Sequence, residues 1–425
     1  MSNSERKTNS PAEGKPKGLS IKQNMLWNSA GSLTYLGLQW LITILVVRLS
    51  SSYEAAGVLS LAMTVYNIFS PLAVYRMYTY QVSDIKRENS LGEYASFRIV
   101  TCTIALALCA IYALATCPRS SFVAIFLYAL FKIASLLIDV LHGEDQLNMR
   151  MDYIGKSLML QGVGTFVAFC GIFVITHSIE LAIFGMFVAT CIVGVCFDLP
   201  RTLRFSPVKI GISRKKVLHL LGYCLPIVIA AIACAVVPSV PRQFLSAFDG
   251  EAALGIYASV AAPAAVIQMG ASYIYNPLLS IFAEKADSDM QCFKSLFLKT
   301  LAGIIGIGVA GVAFYTIFGP WLLRIIFGES IVPYSYLILP VAIMTAVSAC
   351  LWFINDLLIA LRKFSGVLFG NLVALVIALP LSFVLIDLYD MNGVSFTVIA
   401  AYIAGLSVMA FSLMRVRKSG AAKNH

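Results

Sequence analysis

"AIFLYALFKIASLLIDV" (124–140) is seventeen residues long and holds one cation, Lys132, and one acid, Asp139. Apart from Tyr128 and Ser135 the remainder is apolar. A helix this apolar is either core or lies in lipid. In lipid, a lysine at mid-helix costs about 3 kcal/mol on insertion scales. Whether that cost applies depends on the rest of the chain.

Of 425 residues, 59% are hydrophobic and 12% charged, against roughly 25% charged in a soluble domain. The mean hydropathy is +0.85. Together these values describe an integral membrane protein. A spanning helix needs about 20 mostly apolar residues. Twelve such segments can be read: 24–47, 55–82, 97–117, 120–141, 153–176, 179–199, 218–246, 252–282, 295–318, 332–361, 364–386 and 393–414. Several contain proline, which predicts kinks. The polar start, "MSNSERKTNSPAEGKPKGLS" (1–20), reads as a disordered tail, and the first apolar run as an uncleaved span.

Charge placement orients the map. With the N-terminus in the cytoplasm, 25 of the 31 Lys and Arg fall on the cytoplasmic side, Arg98 among them. Three, Arg48, Arg119 and Arg324, fall outside, and three, Arg76, Lys132 and Arg242, fall within spans. Such a bias is the topology signal of a cell-membrane protein with both termini inside. It accounts for the net charge of +10 without nucleic acid.

Two halves resemble each other. "EAAGVLSLA" (54–62) and "EAALGIYAS" (251–259) align Gly57 with Gly255, 198 residues apart, and Phe97 and Phe293 are 196 apart. The expected domains are a cytoplasmic tail (1–20), an N-lobe of six spans (21–199), a flexible basic linker (200–217), a C-lobe of six spans (218–414) and a cytoplasmic tail (415–425). An even span number relates the lobes by a parallel pseudo-twofold. The fold class is therefore all-α integral membrane, and two such lobes imply alternating access.

Chemistry is sparse. There is no P-loop and no HExxH, and the ten cysteines form no CxxC pair. No catalytic residue, metal or cofactor is expected, and the outer loops are too short for the catalytic groups of a membrane enzyme. The GxxxG at Gly366 and Gly370 reads as helix packing. Polar groups inside spans carry the functional reading. Tyr128, Lys132, Ser135 and Asp139 form one stripe at about 100° per residue. Lys132 either pairs with an acid, Asp139 (about 10 Å away along the helix, a stretched pair) or one on a neighbouring helix, or serves a substrate or ion. Arg76 either snorkels or faces a cavity. Arg48 and Arg242 near equivalent outer helix ends either mark the interface or flank that cavity. Tyr257, Gln268 and Tyr275 share a face of the eighth span with Ala261, Ala264 and Ser272. Asp139 and Asp356 are the candidates for ion coupling. Intramembrane cations outnumber acids, which favours an anionic substrate, phosphate above all.

The opening "NMLWNSAGSLTYLGLQWLITILVVRLSSSYEAAGVLSLA" (24–62), the starts Phe97-Arg98 and Phe293-Lys294, and "WLLRIIFG" (321–328) resemble the multidrug/oligosaccharidyl-lipid/polysaccharide exporter superfamily. Within it the chain looks most like O-antigen-type polysaccharide flippases. The resemblance runs from about 21 to 414 through loose motifs, none diagnostic of a site. It implies a multidrug-exporter-like architecture that moves a lipid-pyrophosphate-linked oligosaccharide to the outer leaflet. The implied partners are that glycolipid, the surrounding lipids and polysaccharide-assembly proteins. Arg76 and Lys132 would hold the phosphates on the inner side, Arg48 and Arg242 would receive them near the outer face, and Tyr and Gln of the eighth span would contact sugars. The alternative is a cation-coupled multidrug antiporter of the same superfamily, working through Asp139 or Asp356.

Overall fold

Lipid offers no partner to a backbone N–H or C=O, so an apolar segment must satisfy its own as a helix. The computed structural model describes residues 18–421 except 51, 85 and 86, without side chains at 83, 223, 226, 227, 280, 287 and 414–421. Most of the tails expected at 1–20 and 415–425 lies outside these residues, as does Lys86 of the charge count. Among the described residues the chain contains no strand.

The helices are α1 (Ile21–Leu49), α2 (Glu54–Val82), α3 (Leu91–Thr116), α4 (Arg119–Leu147), α5 (Met151–Thr176) and α6 (Ile179–Thr202). A 62-residue stretch, Arg214–Tyr275, follows. It turns at Gly250, whose φ of 87° and ψ of 171° no helix contains and side chains rarely adopt. That break divides it into α7 (214–249) and α8 (251–275). A short helix, Leu279–Ser288, leads to α9 (Met290–Phe327), α10 (Glu329–Ala360), α11 (Phe364–Tyr389) and α12 (Met391–Ala421). Twelve membrane-length helices result, at the positions the hydropathy predicts. Several starts are capped by side chains: Ser20 with Gln23, Ser90 with Glu93, and Asp289 on two backbone N–H groups. The end of the molecule carrying the start of α1, the end of α12 and the 200–217 segment is called the basic face below, and the other the distal face.

The helices form two bundles. In the first, α1 packs on α5, α5 and α4 on α6, and α2 and α3 on α4. The α1–α5 contact is backbone-close, since a Cβ on Gly155 would lie 2.2 Å from the Trp27 carbonyl oxygen. In the second, α10 and α11 pack on α12, with Gly366 against Ser412 and Gly370 against Met409. That is the packing role expected of the GxxxG.

The bundles meet most closely at the distal face, where α2 touches α8. A Cβ on Gly57 would sit 1.7 Å from the Glu251 carbonyl oxygen, and one on Gly255 2.2 Å from that of Tyr53. These are the two glycines that the repeat aligns, and each sits against the opposite helix start. Around them, Arg48 Nε donates to the Ile326 carbonyl at 2.7 Å and its Nη2 to that of Ile325. The Tyr53 hydroxyl meets Ser330 Oγ at 2.9 Å, and Ser121 donates to the Glu251 carboxylate.

The 200–217 segment, expected to be a flexible linker, is strapped to the first bundle. Gly211 N–H donates to Ser96 Oγ at 2.7 Å, Lys216 pairs with Glu93 at 2.7 Å, and Gly92 packs on the Lys209 backbone. The start of α7 follows it, with Leu220, Cys224 and Val228 packed among Tyr75, Tyr94 and Phe97.

Any side chain at 57 or 255 must push the distal ends apart. We expect Gly57→Val and Gly255→Val each to lengthen the distance between spin labels at Ser52 and Glu329 by several Å. An unchanged distance would mean that other contacts hold the face shut.

Candidate functional site

With the bundles joined distally, a cavity of about 670 Å³ remains between them. It is walled by α2, α7, α8, α10, α11 and α12, and it reaches Ile359 and Phe364 near the basic face. Its polar groups are few: Arg76, Arg242, Asp356, Gln268 and a set of Asn and Ser side chains.

Arg76 owes its place to a break in α2. Pro71 sits in the last turn, and Tyr75 and Arg76 both take left-handed backbone conformations (φ 45° and 56°). Such angles cost about 1–3 kcal/mol each in a non-glycine residue. They hold because Tyr75 is anchored, its hydroxyl donating to the Leu221 carbonyl at 2.8 Å and its ring 5.7 Å from that of Phe97. The kink turns the exposed guanidinium of Arg76 into the cavity.

Arg242 stands on α7, one residue after Pro241. The next residue, Gln243, accepts from the Tyr112 hydroxyl of the first bundle at 2.6 Å. Among the described residues neither Arg76 nor Arg242 has a carboxylate oxygen within 4.0 Å. Asp356, the carboxylate of the lining, is held by the Tyr275 hydroxyl at 3.0 Å and lies within electrostatic reach of Arg76.

Of the residues singled out from sequence, Arg76, Arg242, Gln268 and Asp356 come together in this cavity. Tyr275 is buried behind it, supporting Asp356. Tyr257 is 0% exposed and bonded to Ser395 at 3.0 Å, so the α8 stripe divides: Ala261 and Gln268 face the cavity and Tyr257 faces packing. Arg48 is in the distal clasp. Lys132 and Tyr128 lie inside the first bundle and do not line the cavity. There the Lys132 ammonium is 4.8 Å from the Phe131 ring centroid, 5.5 Å from Tyr128 and 6.0 Å from Tyr35. Tyr66 adds a further ring, 6.0 Å from that of Tyr128. This aromatic box offsets the cost of a central lysine through ring quadrupoles.

The expected partner of Lys132, Asp139, instead pairs with Arg98 at 3.1 Å. Arg98 is 0% exposed and also donates to the Ala73 and Val74 carbonyls. Arg98, counted with the cytoplasmic loop charges, instead lies about two turns into α3 and is buried there. Sequence reading also passed over a buried polar chain at the basic end of the first bundle. His142 Nε2 lies 3.2 Å from Asp198, Ser157 donates to Asp198 at 2.8 Å, and Gln161 donates to Ser157 at 3.0 Å. Asp198 reaches that chain from a π-helical segment, Gly194–Asp198, which shifts the register of α6 and leaves no local sequence mark. Among the described residues no group of three or more His, Cys, Asp or Glu side chains could hold a metal ion.

No family model and no curated protein matches the sequence. Solved structures do. One, described as the inward-facing conformation of a multidrug resistance MATE family transporter of the MOP superfamily, superposes with a TM-score of 0.67 at 13% identity, covering 93% of this chain and 98% of its own. The lipid II flippase MurJ in an inward closed conformation gives 0.72 at 11% identity, covering 92% and 87%. A Vibrio cholerae MATE transporter, VcmN in the bent form, gives 0.56 at 16% identity, covering 95% and 97%.

The fold is that of the MOP transporters. In this chain the cavity between the two bundles carries two arginines that, among the described residues, have no carboxylate oxygen within 4.0 Å. The Arg98–Asp139 pair, by contrast, joins a fully buried guanidinium to a carboxylate 30% exposed within one bundle, and removing the acid leaves a buried cation without its charge partner, which is destabilising. Asp139→Leu should therefore lower the unfolding midpoint of the detergent-solubilised protein clearly, and the double variant Asp139→Leu/Arg98→Met should recover much of the loss. Equal midpoints for wild type and Asp139→Leu would show that the pair contributes nothing.

Proposed function

We propose that this protein carries a lipid-pyrophosphate-linked oligosaccharide from the cytoplasmic to the outer leaflet, for cell-surface polysaccharide synthesis, by alternating access. The observation that carries the reading is the pair of cavity arginines without carboxylate partners. A cation placed in a cavity and left unpaired is a site for an anion, and the guanidinium fork matches phosphate oxygens. One of the structural neighbours, MurJ, is itself named as a flippase of a lipid-linked substrate.

In this reading the basic face is cytoplasmic and the cavity is open toward it. The headgroup enters while the lipid tail stays in the bilayer. Arg76, at the mouth, takes the pyrophosphate first. The N-lobe (21–199) and the C-lobe (218–414) then rock about the Gly57–Gly255 contact. Arg48 gives up its two carbonyl bonds as the distal face opens, and Arg242 passes the anion outward. Lys132 holds the first bundle together rather than touching the substrate.

A second reading, a cation-coupled multidrug antiporter, draws on Asp356 in the same cavity and on the MATE neighbours. Gene deletion in the host separates the two. We expect lipid-linked oligosaccharide to accumulate on the cytoplasmic leaflet. Arg76→Ala should fail to restore its export at normal membrane abundance, and Lys132→Met should restore it at least in part. Unchanged glycolipid, with raised sensitivity to cationic drugs that Asp356→Asn cannot rescue, would replace the flippase with the antiporter.

A further inference from the structure

The chain has four tryptophans, Trp27, Trp40, Trp321 and Trp352. Tryptophan in a membrane protein usually sits at the lipid–water interface, where ring and N–H suit the headgroup layer. Of the four, Trp352 lines the central cavity, and interface anchoring does not explain it. It is 46% exposed although it stands about two turns inside the end of α10. Its immediate neighbours Leu351 and Phe353 are both 0% exposed, so the helix presents this ring, and not the adjacent ones, to the open space.

The surroundings have a definite chemistry. Asn355 and Asp356 stand three and four residues on, one turn or about 5.4 Å toward the basic face, and both line the cavity. Asn371 donates to Asn355 Oδ1 at 3.0 Å, and the Tyr275 hydroxyl donates to Asp356 Oδ2 at 3.0 Å. These two bonds, with a third between the Asn355 side chain and Asp356 itself, hold both side chains. They leave the spare lone pairs of the Asp356 carboxylate and the second Asn355 amide N–H as acceptor and donor. The hydroxyl of Tyr402 lies beside the Trp352 indole N–H. An apolar ring next to a held carboxylate and a held amide suits a sugar. A pyranose has one apolar C–H face that lies on an aromatic ring, and an edge of hydroxyls that needs both donors and acceptors. Two cations share this lining, Arg76 within electrostatic reach of Asp356 and Arg242 within reach of Tyr402, and either side offers a place for a sugar's diphosphate.

We propose that Trp352 is the platform on which the first sugar of the headgroup stacks, with Asp356 and Asn355 bonding its hydroxyls. The inference rests on the flippase reading and adds the saccharide as the part of the headgroup that this protein recognises.

The test uses the full chain in lipid nanodiscs and two kinds of probe, farnesyl diphosphate and farnesyl diphosphate carrying one hexose or one N-acetylhexosamine. We expect a glycosylated probe to bind the wild type about five- to tenfold more tightly than the bare one, the scale of one aromatic contact. Trp352→Leu should bring both to the affinity of the bare probe. Trp352→Phe, which keeps an aromatic face, should retain most of the preference, and Arg76→Ala should weaken both probes alike. A preference that survives in Trp352→Leu overturns the platform. So does a wild type that binds all probes equally through Arg76, and in that case the flippase reading stands. Failure of the wild type to bind either diphosphate overturns the flippase reading and the platform with it.

Discussion

The cavity exists because α2 and α8 touch backbone to backbone at the distal face. Two glycines make this approach possible, and a methyl group at either would overlap a carbonyl oxygen of the other helix. Closure there tilts the bundles apart toward the basic face, which opens the space that Arg76, Arg242 and Asp356 share. The contact is nearly symmetric, Gly57 on Glu251 and Gly255 on Tyr53. It can therefore act as a pivot between equivalent elements. The Arg48 clasp and the Tyr53–Ser330 bond add polar contacts at the outer rim, where water can replace them when the face opens.

Charge is handled in two ways in this molecule. Inside the first bundle three charged groups have company. Arg98 has Asp139 and two carbonyls, Lys132 has an aromatic box, and Asp198 has His142 and Ser157. These groups are costly to bury and costly to separate, so they make that bundle a rigid body. In the cavity, Arg76 and Arg242 have no carboxylate oxygen within 4.0 Å among the described residues, Asp356 acting on Arg76 only at longer range. The same residue types thus serve cohesion in one place and, in the proposed function, anion binding in the other. The backbone follows this division: the two consecutive left-handed residues among the described helices, Tyr75 and Arg76, fall where α2 bends to present a cation.

Most of the architecture was legible in the sequence. Among the described residues, the twelve helices and the break between the seventh and eighth follow from apolar run length; repeat spacing aligned Gly57 with Gly255 as equivalent positions, and only the structure shows each packed against the start of the opposite helix. The site was half legible. Arg76, Arg242, Gln268 and Asp356 stood out as polar groups within apolar runs and do share a cavity. Lys132 stood out more sharply and lies elsewhere, because a stripe on one helix shows that it faces protein without showing which protein. Arg98 was lost among loop charges, since hydropathy places the end of a span only to within a turn. Trp352 carried no signal at all, being one apolar residue in an apolar helix.

Helix number, length and threading were determined locally by the sequence, because exclusion of water acts on each segment separately: twenty apolar residues must be helical and must span, whatever their neighbours. Which polar side chains meet was decided only by tertiary structure. Arg76 on α2 and Asp356 on α10 are 280 residues apart in the chain, and they line one cavity because of a proline kink, two glycines at the far end and the rotation of each helix about its axis. Those rotations are set by close packing between helices, a property that no single segment contains.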